Sequence, residues 1–575
     1  MNHPAHLLRD LVYHAAIKAG FTLQANDIRL ERTKTLQHGH FATNLAMNLA
    51  GKLSKKPRDV AEAIARELKN PLIQKIEISG PGFINLWIEQ KFYTDECHEI
   101  LNGLDDYINQ SLGLDKGNKK MLIDYSHPNI AKPMGVHHLL STIIGDSIKR
   151  IYQAMGWTVV ADNFIGDMGT QFGKLIHAIK TWGNLKEIEK DPIPNLLKLY
   201  VQFHFEADKD VELDDAARAE YKKFEQGDPE SRQLWKKIVR WSFMEIQPVY
   251  DRLGVQFDHL NGESFYEDKM PAILKQGRSS DLFTDGQDGA WIVLSDNPDE
   301  PPAVIRKKDG VTLYITRDLA RIAYWEKEWH PERMVNVVDV AQEFYFRQLF
   351  GVAEKMKLTP AKNVHVAFGR MQFKDGWMST RKGNIILLND LLDEAEARAL
   401  KLAREKGTEL TPAQQKELAR VMGIGAVKYN ILSQNRLHNM TFDWNTMLSF
   451  EGNSAPYLMY TAARAQSVLR KGKITPKNAA RYELSFSDDR ERILALDLTT
   501  YPETIRRAAD EYKPSFLATH LYTLAQDFNA MYNDLKILQA ESDASKKTRL
   551  LLTGATVEMM QHGLSLLGIE VPEKM

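Results

Sequence analysis

Two stretches of the chain gather the residue types that nucleotide chemistry needs. The first runs from Asp124 to Leu175, DYSHPNIAKPMGVHHLLSTIIGDSIKRIYQAMGWTVVADNFIGDMGTQFGKL. Met121–Tyr125 is a short apolar run that includes the carboxylate of Asp124, followed by a polar turn and three histidines, His127, His137 and His138. From about His138 to Met155 apolar residues recur at Leu140, Ile144, Ile148, Ile151 and Met155, the spacing of one buried helix face. Gly156 suits a helix C-terminus, and Trp157–Ala161 reads as a strand. A βαβ unit of this kind predicts a parallel sheet with a ligand crevice beyond the carboxyl end of its first strand. Free N–H groups at the helix start favour phosphate, so nucleotide binding is expected. The second stretch, Met378–Asn384 (MSTRKGN), places Arg381 and Lys382 beside Gly383, cations able to meet phosphate oxygens.

The rest of the chain must position these groups. Its 575 residues suffice for three or four domains at roughly 150 residues each. With a formal net charge of −1 it is not a globally basic nucleic-acid binder, though a local basic face is compatible with that balance. A single cysteine, Cys97, excludes a disulfide framework and disfavours a thiolate zinc site. The clustered histidines lack carboxylates at ligand spacing, so no metal site is expected among them. The start, MNHPAHLLRD, lacks the layout of a signal peptide, and no apolar run reaches the roughly 18 residues of a membrane helix, which predicts a cytoplasmic protein.

Residues 1–110 read as a separate α/β module, with a helix over Pro57–Leu68 and strands at Ile76–Ile78 and Phe83–Ile88 around the turn Gly80-Pro81-Gly82. Ser111–Lys120 reads as a linker. The sheet domain is expected over 121–390, interrupted by a charged helical insertion at about 176–253. Strands are predicted at Ala290–Leu294 and Thr312–Ile315, and a second βαβ at Val335–Val340, Glu343–Lys355 and Val364–Phe368. Residues 391–575 read as an all-α helical bundle. The fold class is thus multidomain α/β.

Several segments in order resemble the arginyl-tRNA synthetases, a family of class I aminoacyl-tRNA synthetases. HGHFATNLAMNLA (38–50) and GPGFINLWI (80–88) resemble its N-terminal module, which touches the corner of tRNA. PNIAKPM (128–134), STIIGD (141–146), GDMGTQFG (166–173), LYITRDLA (313–320), MSTRKGN (378–384) and LSFEGNSAPYLMY (448–460) follow, and GLSLLGIEVPEKM (563–575) resembles the end of its anticodon-binding domain. The resemblance implies a Rossmann-like catalytic domain and an arginine–tRNA ligase. Arginine would be activated with ATP and Mg2+ to an adenylate and passed to the 3′ end of tRNA(Arg). It implies no bound zinc, no membrane or DNA partner, and a monomer.

By resemblance, Asp124, Tyr314 and Asp318 line the pocket for the arginine side chain, as carboxylates suit a planar, permanently charged guanidinium. Ser126, Asn129 and Gln342 would also contact the amino acid. Gly135, His137, His138, Met378 and Ser379 would contact ATP, with His138, Lys132, Arg381 and Lys382 as the catalytic set; Lys132 would stand in for a lysine whose usual place Trp377 takes. Tyr457, Tyr460, Arg464, Tyr522, Phe528, Tyr532 and Asn533 are candidates for stacking on anticodon bases. One signature departs from the family. Where the family reads His-Val-Gly-His followed by Leu-Arg-Ser, this chain reads Gly135-Val136-His137-His138 and Leu139-Leu140-Ser141. His127 stands where the family carries a small residue and Tyr345 where it has histidine. Loss of the first histidine removes a donor worth roughly 2.7–4 kcal/mol in comparable sites. These departures leave open a second reading, a synthetase-like paralogue with impaired adenylation that binds tRNA or arginine in a regulatory role.

Overall fold

The computed structural model describes residues 4–575 except 25–26, 34, 115–116, 118, 211, 287, 375–386, 406–409 and 573–574. At its centre four parallel strands lie in the order Lys362–Phe368, Arg333–Asp339, Lys120–Asp124, Thr158–Asp162. Asp124 is level with Asn336 on one side and with Asp162 on the other. The chain leaves the Lys120–Asp124 strand toward one edge and returns on its other side with Arg333–Asp339. That reversal opens a crevice at the carboxyl ends of these two strands.

Alternation along the strands separates two cores. Met121, Ile123, Val335 and Val337 join the core that includes Leu139, Leu140 and Ile143 of the helix His137–Ala154. Leu122 and Met334 face the opposite layer, with Leu319, Ile322 and Trp325 of the helix Tyr314–Trp329 and Leu349 of Glu343–Lys355. Side chains that point alternately to the two faces explain why both layers can be filled from one strand. The first helix seats closely because residue 145 is glycine: a Cβ there would lie 2.3 Å from the ring of Tyr125.

An antiparallel sheet, Glu31–Arg32, Phe41–Thr43, Phe83–Ile88 and Ile73–Ser79, forms the leading module. It docks on the last part of the chain. Arg32 pairs with Asp497 and, at 3.2 Å, with Asp527; Gln90 donates to the Leu484 carbonyl, and His98 Nε2 lies 2.6 Å from that of Tyr482. Where a helical insertion is expected at about 176–253, the described residues are helical: after the end of Thr170–Trp182 come Leu185–Lys190, Pro192–Ala207, Glu212–Glu225 and Pro229–Leu253.

One expectation is corrected. Thr312–Ile315 is not a strand: Tyr314 opens the helix Tyr314–Trp329, whose Ile315, Leu319, Ile322 and Trp325 recur at helical spacing, and the neighbouring strand is Ala303–Arg306. The last part of the chain is helical from Leu388 onward apart from a short strand, Met440–Phe442, paired in parallel with Met371–Phe373. No helix among the described residues is long and apolar enough to cross a membrane.

Candidate active site

The crevice is framed by a loop with an unusual backbone. Ser126, His127 and Ala131 all adopt positive φ, at 84°, 52° and 67°. Such conformations in residues with a Cβ cost of the order of 1–3 kcal/mol each and persist only when their surroundings enforce them. Here each backbone N–H is held by a side chain from a different element. Ser126 donates to Ser141 Oγ at 2.9 Å, His127 to Asn163 Oδ1 at 3.2 Å, and Ala131 to Ser242 Oγ at 2.9 Å. Ser141 in turn donates to the Val337 carbonyl at 2.7 Å, tying the loop, the helix and the neighbouring strand together.

A cleft of about 290 Å³ opens beside this loop. Asp124, His127, Asn129, Glu263, Tyr314 and Asp318 line it, joined by Arg321, Gln342 and Tyr345. Five expected residues therefore meet in one place: Asp124, Asn129, Tyr314, Asp318 and Gln342. Tyr314 is 64% exposed at the mouth, one helical turn from the buried Asp318. The expected Ser126 is close but turned inward: its hydroxyl lies 2.7 Å from Tyr250 Oη and accepts from Thr142.

Charge in the cleft is arranged around Arg321. This buried guanidinium pairs with Asp124, lies 3.1 Å from Asp318, and donates to Asn336 Oδ1 at 2.8 Å. Burial pushes the Asp124 carboxyl up, but His127 at 2.8 Å and Arg321 outweigh it and hold the group at about 2. Asp318 goes the other way: burial raises it, offset only in part by Arg321 and by the Tyr345 hydroxyl that donates to it. Burial also lifts Glu263 to about 7, against the pull of Arg317 at 3.6 Å.

The helix start next to the loop carries the departed signature. Gly135 N–H donates to His138 Nδ1 at 3.2 Å, which leaves the ring's Nε2 as the hydrogen-bearing nitrogen of a neutral imidazole. Burial, with the neighbouring His137, holds His138 at about 3, so at neutral pH it offers a donor and not a cation. The rings of His137 and His138 lie 3.9 Å apart. Lys132 sits elsewhere, its ammonium 4.8 Å above the Tyr200 ring of the insertion. Met378, Ser379, Arg381 and Lys382 lie outside the described residues. Among the described residues no cluster of three or more metal-ligating side chains occurs.

Far from the crevice, Tyr460, Arg464, Tyr532 and Asn533 line an open groove in the helical domain, with the Arg464 guanidinium 4.7 Å from the Tyr460 ring and 4.9 Å from that of Tyr532. Phe528 is wholly buried, and Tyr457 and Tyr522 pack edge-to-face on each other.

Comparison with known proteins agrees in order and extent. Residues 6–88 match the arginyl tRNA synthetase N-terminal domain, 107–444 the catalytic domain of class I (R) tRNA synthetases, and 458–575 the DALR anticodon binding domain. The chain belongs to the arginyl-tRNA synthetase family. An arginine–tRNA ligase of Fusobacterium nucleatum is 40% identical over 93% of both chains, and one of Enterococcus faecalis 39% identical over 98% of both. The crystal structure of the Plasmodium falciparum arginyl-tRNA synthetase superposes with a TM-score of 0.85 at 26% identity over 100% of both chains. That of Thermus thermophilus shares the fold at a TM-score of 0.81 and 23% identity, covering 99% of both. Within this family's fold, the cleft residues that sequence reasoning missed are Arg321, Glu263 and Phe164. Arg321 was legible in part, since it follows Asp318 by one helical turn. Glu263, at the start of the 3-10 helix Glu263–Lys269, and Phe164, in the loop after Thr158–Asp162, reach the cleft from separate segments, and no local pattern marks them.

Proposed function

We propose that this chain is an arginine–tRNA ligase. The carboxylate of arginine attacks the α-phosphate of ATP, pyrophosphate leaves, and the arginyl group passes from the adenylate to the 3′ end of tRNA(Arg). The observation that carries this reading is the three family matches in order, the middle one spanning residues 107–444 and enclosing the acidic cleft at the sheet's reversal point. Asn129 and Gln342, at the cleft wall, would orient the amino acid's polar end, and Tyr314 would cover its side chain. The N–H groups at the start of His137–Ala154 and the neutral His138 would meet the phosphates. ATP would enter with Mg2+, which neutralises phosphate charge. Arg381 and Lys382 would approach the same phosphates.

In this reading residues 1–110 contact the corner of tRNA, residues 121–390 carry the chemistry, and residues 391–575 read the anticodon through Tyr460, Arg464, Tyr532 and Asn533, with a single chain sufficing. Arginine-dependent exchange of pyrophosphate into ATP, measured with and without tRNA(Arg), tests it. Exchange that requires arginine is expected; its absence in both conditions would return the chain to a binding role.

A further inference from the structure

The segments that frame the cleft are held from outside the central sheet. Trp235, Ser242 and Tyr250 of the helix Pro229–Leu253 follow one another at about two helical turns and so share one side of it. Trp235 Nε1 donates to the Asp167 carbonyl at 2.8 Å. Ser242 Oγ accepts the Ala131 N–H. The buried Tyr250 hydroxyl accepts from Asn163 Nδ2 at 2.9 Å and lies 2.7 Å from Ser126 Oγ. One helix thus grips both 126–131 and 163–167.

These two segments set each other in turn. Ile130 N–H donates to the Gly166 carbonyl at 3.2 Å, and Gly166 N–H to the Pro128 carbonyl at 3.1 Å. The approach is close: a Cβ at residue 166 would lie 2.7 Å from Asn129 Oδ1. The Asn163 amide that Tyr250 holds also accepts the His127 N–H, and His127 Nε2 lies 2.8 Å from Asp124. The direction of Asn129 and the pairing of His127 with Asp124 therefore depend on how the segments are registered. Positive φ at Ser126, His127 and Ala131 gives this loop a reason to relax once a tie is cut.

We propose that Tyr250 and Ser242 are positioning residues for the amino-acid substrate, fixing the loop 126–131 so that Asn129 and Asp124 meet arginine in reacting position. Neither side chain lines the cleft, so each acts through the loop. The inference rests on the ligase reading and adds the residues that prepare its arginine site.

The test is pyrophosphate exchange by the full chain with tRNA(Arg) supplied, measured over arginine and over ATP for the wild type, Tyr250→Phe and Ser242→Ala. Each variant should raise the arginine KM about ten-fold, as when a buried polar group loses its partner, and leave the ATP KM unchanged. Tyr429→Phe is the control. Its buried hydroxyl donates to the Ala518 carbonyl at 3.0 Å in the helical domain, and its loss should cost stability without moving the arginine KM. Equal rises for arginine and ATP, an unchanged arginine KM in both variants, or the same rise in Tyr429→Phe would overturn the proposal. Should Tyr250→Phe fail to fold, Ser242→Ala decides alone. Calorimetric titration of the same proteins with L-arginine separates the two readings. A wild type that shows no exchange yet binds arginine more tightly than the variants defeats the ligase reading and keeps the positioning role. Exchange in the wild type, with variants that bind arginine equally well and keep its KM, defeats the positioning role alone.

Discussion

Ser126 gives its backbone N–H to the hydroxyl of Ser141 at 2.9 Å. The bond fixes a residue whose φ of 84° would otherwise relax, and the same hydroxyl reaches across to the Val337 carbonyl. Ser141→Ala removes both bonds and leaves two buried backbone groups unpaired. A loss of about 1–3 kcal/mol of stability is expected, read from the midpoint of urea unfolding. An unchanged midpoint would mean that the loop holds its shape without this tie.

Glu263 predicts a pH dependence of defined sign. Burial raises its folded-state carboxyl to about 7 from the ordinary 4.5. The native chain therefore binds a proton more tightly than the unfolded chain, and this group's contribution to stability falls as pH rises from about 4.5 to 7. Glu263→Gln keeps the shape without the buried charge. It should be more stable than the wild type at pH 8, by about 1–3 kcal/mol, with the difference fading toward pH 5. Thermal melts at the two pH values give the comparison; equal differences at both would refute the burial argument.

The departed signature is tested by Gly135→His combined with His137→Gly. In the wild type, His137 packs on His138, and the latter's Nδ1 is fixed by Gly135 N–H. The double change removes that packing and is expected to slow adenylation about ten-fold, the effect of 1.4 kcal/mol on a barrier. Pyrophosphate exchange supplies the rate. A ten-fold gain instead would identify Gly135 and His137 as impairments of the site.

Recognition of tRNA should be electrostatic but local, given a formal net charge of −1. Affinity should drop steeply between low and physiological salt, as it does when several phosphates are neutralised. Tyr532→Ala should cost about 1–3 kcal/mol of tRNA binding if its ring stacks on a base, with Phe528→Ala acting on stability because that ring is buried. Filter binding over a salt series measures both, and a flat series would argue against tRNA as the partner.

Most of the frame could be read from local pattern. The strand Phe83–Ile88 and the helix Glu343–Lys355 fall where periodicity puts them, and apolar recurrence from Leu140 to Ile151 marks the helix that seats beside the crevice. Asp124 and Asp318 stood out only through the family resemblance, since an Asp alone reads equally as a strand end or a helix cap, and both face one cleft. What their positions could not reveal is the company they keep. Arg321 lies 197 residues from Asp124 in sequence, and His127 meets Asp124 only because the backbone turns through positive φ between them. Thr312–Ile315 misled because a run of β-branched and aromatic residues serves equally at the first turn of a buried helix. Glu263 and Phe164, from separate segments of the chain, are brought in by tertiary packing that no short-range signal encodes.

The seam between the two ends of the chain bears on how the protein is made. Gln90 meets Leu484 across 394 positions, and Arg32 waits for Asp527 over 495. During synthesis the leading sheet leaves the ribosome long before these partners exist. It must stand alone, with Arg32 and Gln90 turned to water, while the central sheet assembles behind it. Closure of this seam thus waits until the segment from Tyr482 to Asp527 has been made, and the leading sheet has to hold its own fold until then.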